Sequence, residues 1–293
     1  MSEPRDHHFI PRFYLARWCN PEGKLTVYSR PRDRVVTSEL APKGTGFERD
    51  LYSYTGLPSP QAQAIETQFM AKIDDAAAPI LKKLLSGGLP KLTGPERSDF
   101  TRFVLSIRVR HPGAVQLSKE EGERTLTAEL ERDPDEYLTI KGDNHPPTLK
   151  GFLEQGAPAY VPNFGLSLIP EVITNPKVGE RVYQAPWSTF DVRHPSVDLL
   201  TCDRPCMLEG TALEGRFAIA LPLGPRMLLV ISNDATTTAR LHRMHHSALV
   251  KLINRAAVIS AHEYVYGTGR QHLPLVEKLL NPSLAPDARG RTP

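Results

Sequence analysis

Cysteine is scarce. Cys19, Cys202 and Cys206 are the three in 293 residues, an odd, scattered set that builds no disulfide framework and points to a reducing compartment, the cytoplasm. The Cys202-x-x-x-Cys206 spacing is too long for the common redox pair. It also lacks the second cysteine pair of a structural zinc site, and only a tertiary meeting with Cys19 would bring even three thiolates together. A surplus of one charge sign is missing too. The 36 Lys and Arg against 33 Asp and Glu leave a formal charge of +3, too small to argue for nucleic acid from bulk electrostatics. Long apolar runs are absent. The most hydrophobic stretch, 217–232, is broken by Pro222, Gly224, Pro225 and Arg226, whereas a spanning helix needs about twenty predominantly apolar residues, so no membrane association is expected. The opening residues are polar and contain no apolar core of a signal peptide. There is no phosphate-binding loop ending in Gly-Lys-Ser or Gly-Lys-Thr, no dinucleotide fingerprint and no Gly-x-Ser-x-Gly elbow, which removes three ready-made sites.

What is present suffices for a large core or two modest ones: 40% of the residues are apolar and 24% charged. Residues 6–58 read as short extended pieces. Leu25 and Val27 alternate with Thr26 and Tyr28 after the turn at Asn20, and 50–54 is a second strand closed by Gly56 and Pro58. A helical hairpin follows. Ile65, Phe69, Ile73, Ala76, Ile80 and Leu84 recur at helical spacing, with Pro79 as a kink and Gly87-Gly88 as a stop. Thr93 and Glu96 form a capping box ahead of the stripe Phe100, Phe103, Val104 and Ile107. Arg97, Arg102, Arg108 and Arg110 fall off that stripe, as a solvated flank or, alternatively, facing a ligand.

Between 119 and 136 eight acidic residues face three basic ones, read as an exposed, partly helical insertion. Beyond it, β-prone segments at 182–185, 189–192, 199–202, 217–221 and 227–232 suggest a mostly antiparallel sheet. A helix over 241–259 and a strand over 263–266 complete it. The expectation is an α+β fold. An N-terminal small antiparallel sheet and helical hairpin pack with a C-terminal mostly antiparallel sheet and long helix. Residues 1–285 form one compact domain with two lobes, 6–115 and 145–285, joined by an acidic segment, 116–144, and 286–293 are a flexible tail.

Two places carry capable chemistry. The first is Asp6-His7-His8-Phe9-Ile10-Pro11-Arg12, in which adjacent histidines on an extended chain point to opposite sides. A neutral imidazole binds a transition metal or takes a proton from water near neutral pH, and Asp6 is placed to orient such a ring. The second is Thr201-Cys202-Asp203-Arg204-Pro205, where a strand breaks into a turn. Asp203 is either a partner for a distant histidine or a local turn cap, and Arg204 suits a carboxylate or phosphate. His242 and His246 lie a turn apart without the intervening Glu of a zincin. His245 reads as a packed histidine, and His262-Glu263 as a helix terminator.

The run His7-His8-Phe9-Ile10-Pro11 resembles the opening of the ββα-metal, or HNH-type, nuclease motif. That resemblance implies His8 as the base that activates water, and Asp6 or His7 as ligand of a divalent ion beside the scissile phosphate. The Asn and His that such motifs carry on the next helix have no counterpart, since only Asn20 falls in the interval and no further histidine follows His8 before His111. A structural role for the pair, or other ligand chemistry, stands beside the nuclease reading.

A broader likeness follows from the order of His7 to Leu15, Leu51-Tyr52, Glu66, Arg108-x-Arg110-His111-Pro112, Thr201-x-Asp203-Arg204-Pro205 and Pro222-Leu223-Gly224-Pro225. Over about residues 6–267 the chain resembles the bacterial DUF4238 family, which implies an intracellular protein but no particular reaction. The likeness sharpens one expectation. His7 and His8, the catalytic candidates, converge with the metal ligands Asp6, Glu66 and Asp203 around Mg²⁺ or Mn²⁺, and Arg12 or Arg204 neutralises substrate phosphate. The function expected first is a divalent-metal-dependent phosphodiesterase or nuclease acting on nucleic acid or another phosphate-containing ligand. The alternative is a non-enzymatic binding or regulatory module recognising a protein or nucleotide. An imidazole and two carboxylates in an open cleft favour the enzyme; a buried His7 or His8 held by backbone favours the module.

Overall fold

A computed structural model describes residues 5–132, 135–192 and 198–281, so the expected tail at 286–293 lies outside the described residues. The chain begins with β1 (Asp6–His8), the short helix α1 (Arg12–Leu15), β2 (Leu25–Ser29), β3 (Val36–Leu40) and β4 (Phe47–Arg49). Helices follow: α2 (Ala71–Leu85), α3 (Gly94–Val109), α4 (Pro112–Glu131), α5 (Asp135–Ile140), α6 (Leu149–Gly156), α7 (Tyr160–Ile173) and α8 (Pro176–Gln184). Next come β5 (Trp187–Asp191), β6 (Thr201–Cys202), β7 (Met207–Gly210), β8 (Phe217–Gly224) and β9 (Met227–Ser232). The last elements are α9 (Ala235–Arg243), α10 (His246–Ser260), β10 (Tyr264–Gly267) and α11 (Leu273–Leu279). The expected α+β class, with small N-terminal sheets and helices and a C-terminal sheet with helices, is what forms.

Among the described residues the strands pair antiparallel in three sheets: β1 with β4, the order β3-β2-β10-β6, and the order β5-β9-β8-β7. Strand periodicity explains how the two four-stranded sheets are buried. Leu25 and Val27 of β2 enter a large core, while Tyr28 enters a smaller one on the opposite face. On β9, Leu229 and Ile231 enter the same large core, and Leu228 and Val230 face a third cluster. Each sheet therefore turns one face to a shared centre. One helix reaches both of their other faces: α10 gives Leu249, Val250 and Ile253 to the third cluster and Ala257 and Val258 to the second, where α9 adds Leu241 to the third and α11 adds Val276 to the second. In the shared centre Trp18 donates Nε1–H to the Leu199 carbonyl at 2.7 Å, and the Tyr14 hydroxyl donates to the Pro222 carbonyl at 2.6 Å. These bonds stitch the N-terminal segment to the C-terminal sheets.

The helical hairpin forms as α2 and α3. The capping box is present in both directions, with Glu96 N–H bonded to Thr93 Oγ1 and Thr93 N–H to Glu96 Oε2. Ahead of α2 the chain widens into a π-helical turn, Ile65–Met70, a local geometry common at functional sites. Several expected boundaries move. Residues 50–54 form a turn rather than a strand: Asp50 sits at φ 57°, and Tyr52, fully buried, packs inward. Residues 182–184 end α8, because the Asn175 side chain caps it and Pro176 starts it. The expected helix over 241–259 is two helices. Met244 is extended, and His245 caps α10 through its ring nitrogen, so His245 is an exposed cap rather than a packed histidine.

The acidic stretch forms much of α4, which lies against α7 at backbone distance. A Cβ on Gly165 would sit 1.9 Å from the Ser118 carbonyl oxygen, and one on Gly122 would sit 2.2 Å from the Gly165 Cα. Ser118 Oγ donates to the Gly165 carbonyl at 2.7 Å across this contact. The expected arginine flank splits. Arg102 and Arg108 are exposed, Arg97 reaches the carbonyls of Tyr183 and Ala185, and Arg110 is fully buried.

Candidate functional site

The two histidines of β1 have separate fates because successive side chains leave a strand on opposite faces. His7 is fully buried. Its Nδ1 accepts the Tyr52 amide at 3.0 Å, which leaves the proton on Nε2 to donate to Gln63 Oε1 at 2.6 Å. The ring stacks on Tyr52 with centroids 5.6 Å apart and planes 7° apart, and Gln63 passes the bond on to Ser53 Oγ. With both nitrogens engaged and no solvent access, His7 pins β1 to the 50–54 turn and to the 3-10 turn at Gln61–Gln63 that precedes the π-helical turn.

His8 packs on Phe47, and its Nε2 accepts Arg12 Nε–H at 3.2 Å. Burial and then the Arg12 cation push its pKa down to about 4, so the ring is neutral at physiological pH. Glu66, on the π-helical turn, has its pKa raised to about 7, chiefly by burial. Arg110 and Arg12 oppose the rise and Asp74 adds to it. Arg110 lies 2.8 Å from the Asp74 carboxylate, whose own pKa burial pushes up. Glu66 Oε2 and Arg110 Nε and Nη2 are buried without a hydrogen-bond partner among the described residues. Asp6 is exposed and sits opposite Arg49 in the β1–β4 register. Of the expected set, the fold thus links His8 directly to Arg12, and Arg12 electrostatically to Glu66.

Asp203 is elsewhere. It is 1% exposed, and its carboxylate accepts the amides of His262 at 2.8 Å, Glu263 at 2.6 Å and Tyr264 at 2.9 Å. Burial raises its pKa and those three amides oppose the rise. Asp203 is therefore a knot that ties the link between α10 and β10 to the end of β6. Among the described residues no three His, Cys, Asp or Glu side chains form a group able to hold a metal ion, and the set His7, His8, Glu66 and Asp203 does not gather at one place. Cys202 and Cys206 are buried, and burial pushes both thiols up to about 12, far from thiolate chemistry.

The knot positions a second place. Arg204, the next residue, is exposed, with Nη2 3.4 Å from His111 Nδ1. His111 caps α4, its Nδ1 accepting the Gly113 amide at 3.1 Å, so its proton sits on Nε2. Its ring meets His262 edge to face, with centroids 5.0 Å apart and planes at 85°. Burial, then Arg204 and His262, push the His111 pKa down to about 3, which keeps the ring neutral. These groups line an open cleft of about 1060 Å³, together with Arg108 at the end of α3 and Ser260 at the end of α10. No carboxylate lines it among the described residues.

Sequence reasoning placed Arg204 near phosphate but missed His111, His262 and Arg108 as a group. The only trace was Arg108-x-Arg110-His111-Pro112, whose histidine reads as a helix cap until the fold brings His262 onto it. His242, one turn from His246, packs its ring on Phe190 with centroids 4.6 Å apart.

A family model described as a protein of unknown function, DUF4238, matches residues 6–271, spanning both places. The chain belongs to the DUF4238 family. No curated protein and no solved structure gives a significant match to this DUF4238 protein. No helix among its described residues is long and apolar enough to cross a membrane.

Proposed function

We propose that this DUF4238 protein is a non-enzymatic binding module that recognises a phosphate-bearing ligand in the cleft between His111, His262 and Arg204. The observation that carries this reading is the polar lining: two arginines and two imidazoles, with no carboxylate among the described residues to repel an anion. The start of α4 adds a positive end at Gly113. The burial of His7, locked by the Tyr52 amide, also favours a module over water activation by that pair.

Calorimetric titration with inorganic phosphate tests the site. Saturable binding that weakens about tenfold in Arg204→Gln supports it, since a charge-assisted contact is worth about 1.5–3 kcal/mol. Binding indifferent to that change overturns it.

A second reading keeps the HNH-type resemblance and a metal-dependent phosphodiesterase. One observation favours it: Glu66, raised to about 7 on a π-helical turn, shares its surroundings with Asp74 and Arg12. A Mn²⁺ titration followed by electron paramagnetic resonance separates the two. Stoichiometric binding lost in a folded His8→Ala variant supports the phosphodiesterase; absent or mutation-indifferent binding supports the module.

A further inference from the structure

We infer that the ligand of the cleft is a phosphomonoester with an aliphatic body rather than a nucleotide, an inference that rests on the cleft being the phosphate site. The two helices that wall the cleft change character along their length. On α4 the cleft runs from His111 and Gly113 to Ala114 and then Leu117; on α10 it runs from Ser260 back to Ile259 and Ala256. At about 1.5 Å of rise per residue, Gly113 to Leu117 carries the wall about 6 Å from the cationic end. Leu117 is 59% exposed and Ile259 is 52% exposed, so two large aliphatic side chains stand in solvent beside an anion-accepting end. Scattered apolar residues on a surface need no explanation, but two that line one cleft together with Ala114 and Ala256 do.

The polar end is arranged around a volume rather than a plane. Arg108 comes from α3, His111 from the start of α4, Arg204 from the turn after β6 and His262 from the link after α10. A planar carboxylate is satisfied by one guanidinium fork, whereas the three oxygens of a phosphomonoester use donors from several directions.

The apolar end lacks what a nucleobase needs. Among the described residues no Phe, Tyr or Trp lines the cleft, and the two rings present are imidazoles, crossed at 85° at the cationic end. Among the described residues, the uncharged side chains of the lining able to read a base edge are Ser260, Asn281 and the imidazoles, and the imidazoles sit at the cationic end. Aliphatic walls instead gain from burying methylene groups, which adds affinity with chain length.

The test is calorimetric titration of the full chain with octyl phosphate below its aggregation concentration, inorganic phosphate and AMP. The expected result is octyl phosphate binding at least about tenfold tighter than either of the others, as burial of several methylenes requires. Leu117→Ser and Ile259→Ser, both at exposed positions, should each bring octyl phosphate toward the inorganic phosphate affinity. If AMP binds as tightly as octyl phosphate or tighter, or octyl phosphate only equals inorganic phosphate, while Arg204→Gln weakens all of them, the aliphatic ligand is overturned and the phosphate site stands. If none of the three binds, or binding ignores Arg204→Gln, both readings fall.

Discussion

The Asp203 carboxylate accepts the His262 amide at 2.8 Å, and by fixing that backbone it sets the His262 imidazole edge-on to His111, 5.0 Å away. Asp203 thus acts on the cleft from behind it. Its own oxygens never reach the ligand side, because all the bonds observed at them run to the amides of 262–264.

Asp203→Ala leaves those three amides without their acceptor in a buried setting. The expected cost is about 2–4 kcal/mol, read as a lowered urea midpoint with unchanged slope. A variant of unchanged stability would contradict the role assigned to the knot.

The burial of His111 makes stability depend on acidity. Its folded pKa of about 3 lies below the ordinary 6.5, so the unfolded chain binds more protons between those values. The contribution is complete above pH 6.5 and is lost as pH falls toward 3. His111→Asn keeps a capping side chain, and its unfolding free energy should fall less steeply over that window. Equal slopes in the two proteins would refute the assignment.

Glu66 has the opposite sign. Its folded pKa of about 7 lies above the ordinary 4.5, so the folded chain holds the extra proton between the two and stability declines as pH rises through that range. Glu66→Gln should gain on the wild type by up to about 3 kcal/mol from pH 4 to pH 8, compared by chemical denaturation. A constant difference across pH would show that the carboxyl titrates normally.

The pair of buried Arg110 and half-buried Asp74 should behave as a unit. Arg110→Met strands the Asp74 charge, at a cost of about 3–5 kcal/mol, and adding Asp74→Leu should recover most of it. A double-mutant cycle in urea measures the coupling, and simple additivity would deny it.

At the α4–α7 contact, Gly165→Ala places a methyl carbon where the Ser118 carbonyl stands, and separating the helices should cost upward of about 2 kcal/mol. Gly179→Ala, on α8 with nothing within 4 Å, should instead stabilise by about 0.4–1 kcal/mol. Thermal melts of the two variants should therefore move in opposite directions.

What the sequence determined by itself is what short-range chemistry encodes. The Thr93–Glu96 capping box, the α3 stripe, the alternation in β2 and the apolar run that became β9 all form where local spacing places them. The split of His7 from His8 to opposite faces was equally legible, since a strand puts neighbours on opposite faces whatever it packs against. Tertiary structure decided the rest. Residues 182–184 joined a helix because Asn175 and Pro176 start one there, overriding a β-prone end. Arg110, which lies off the apolar stripe and so reads as solvated, was drawn into the interior by Asp74 and by Tyr52, whose hydroxyl donates to the Arg110 carbonyl. The cleft depended on tertiary structure most of all. His111 and His262 are about half the length of the 293-residue chain apart, and no periodicity links them. Their meeting is fixed by Asp203 holding one loop and by α4 beginning at the other, a relation that exists only once the β10–β6 pairing has brought those backbones together.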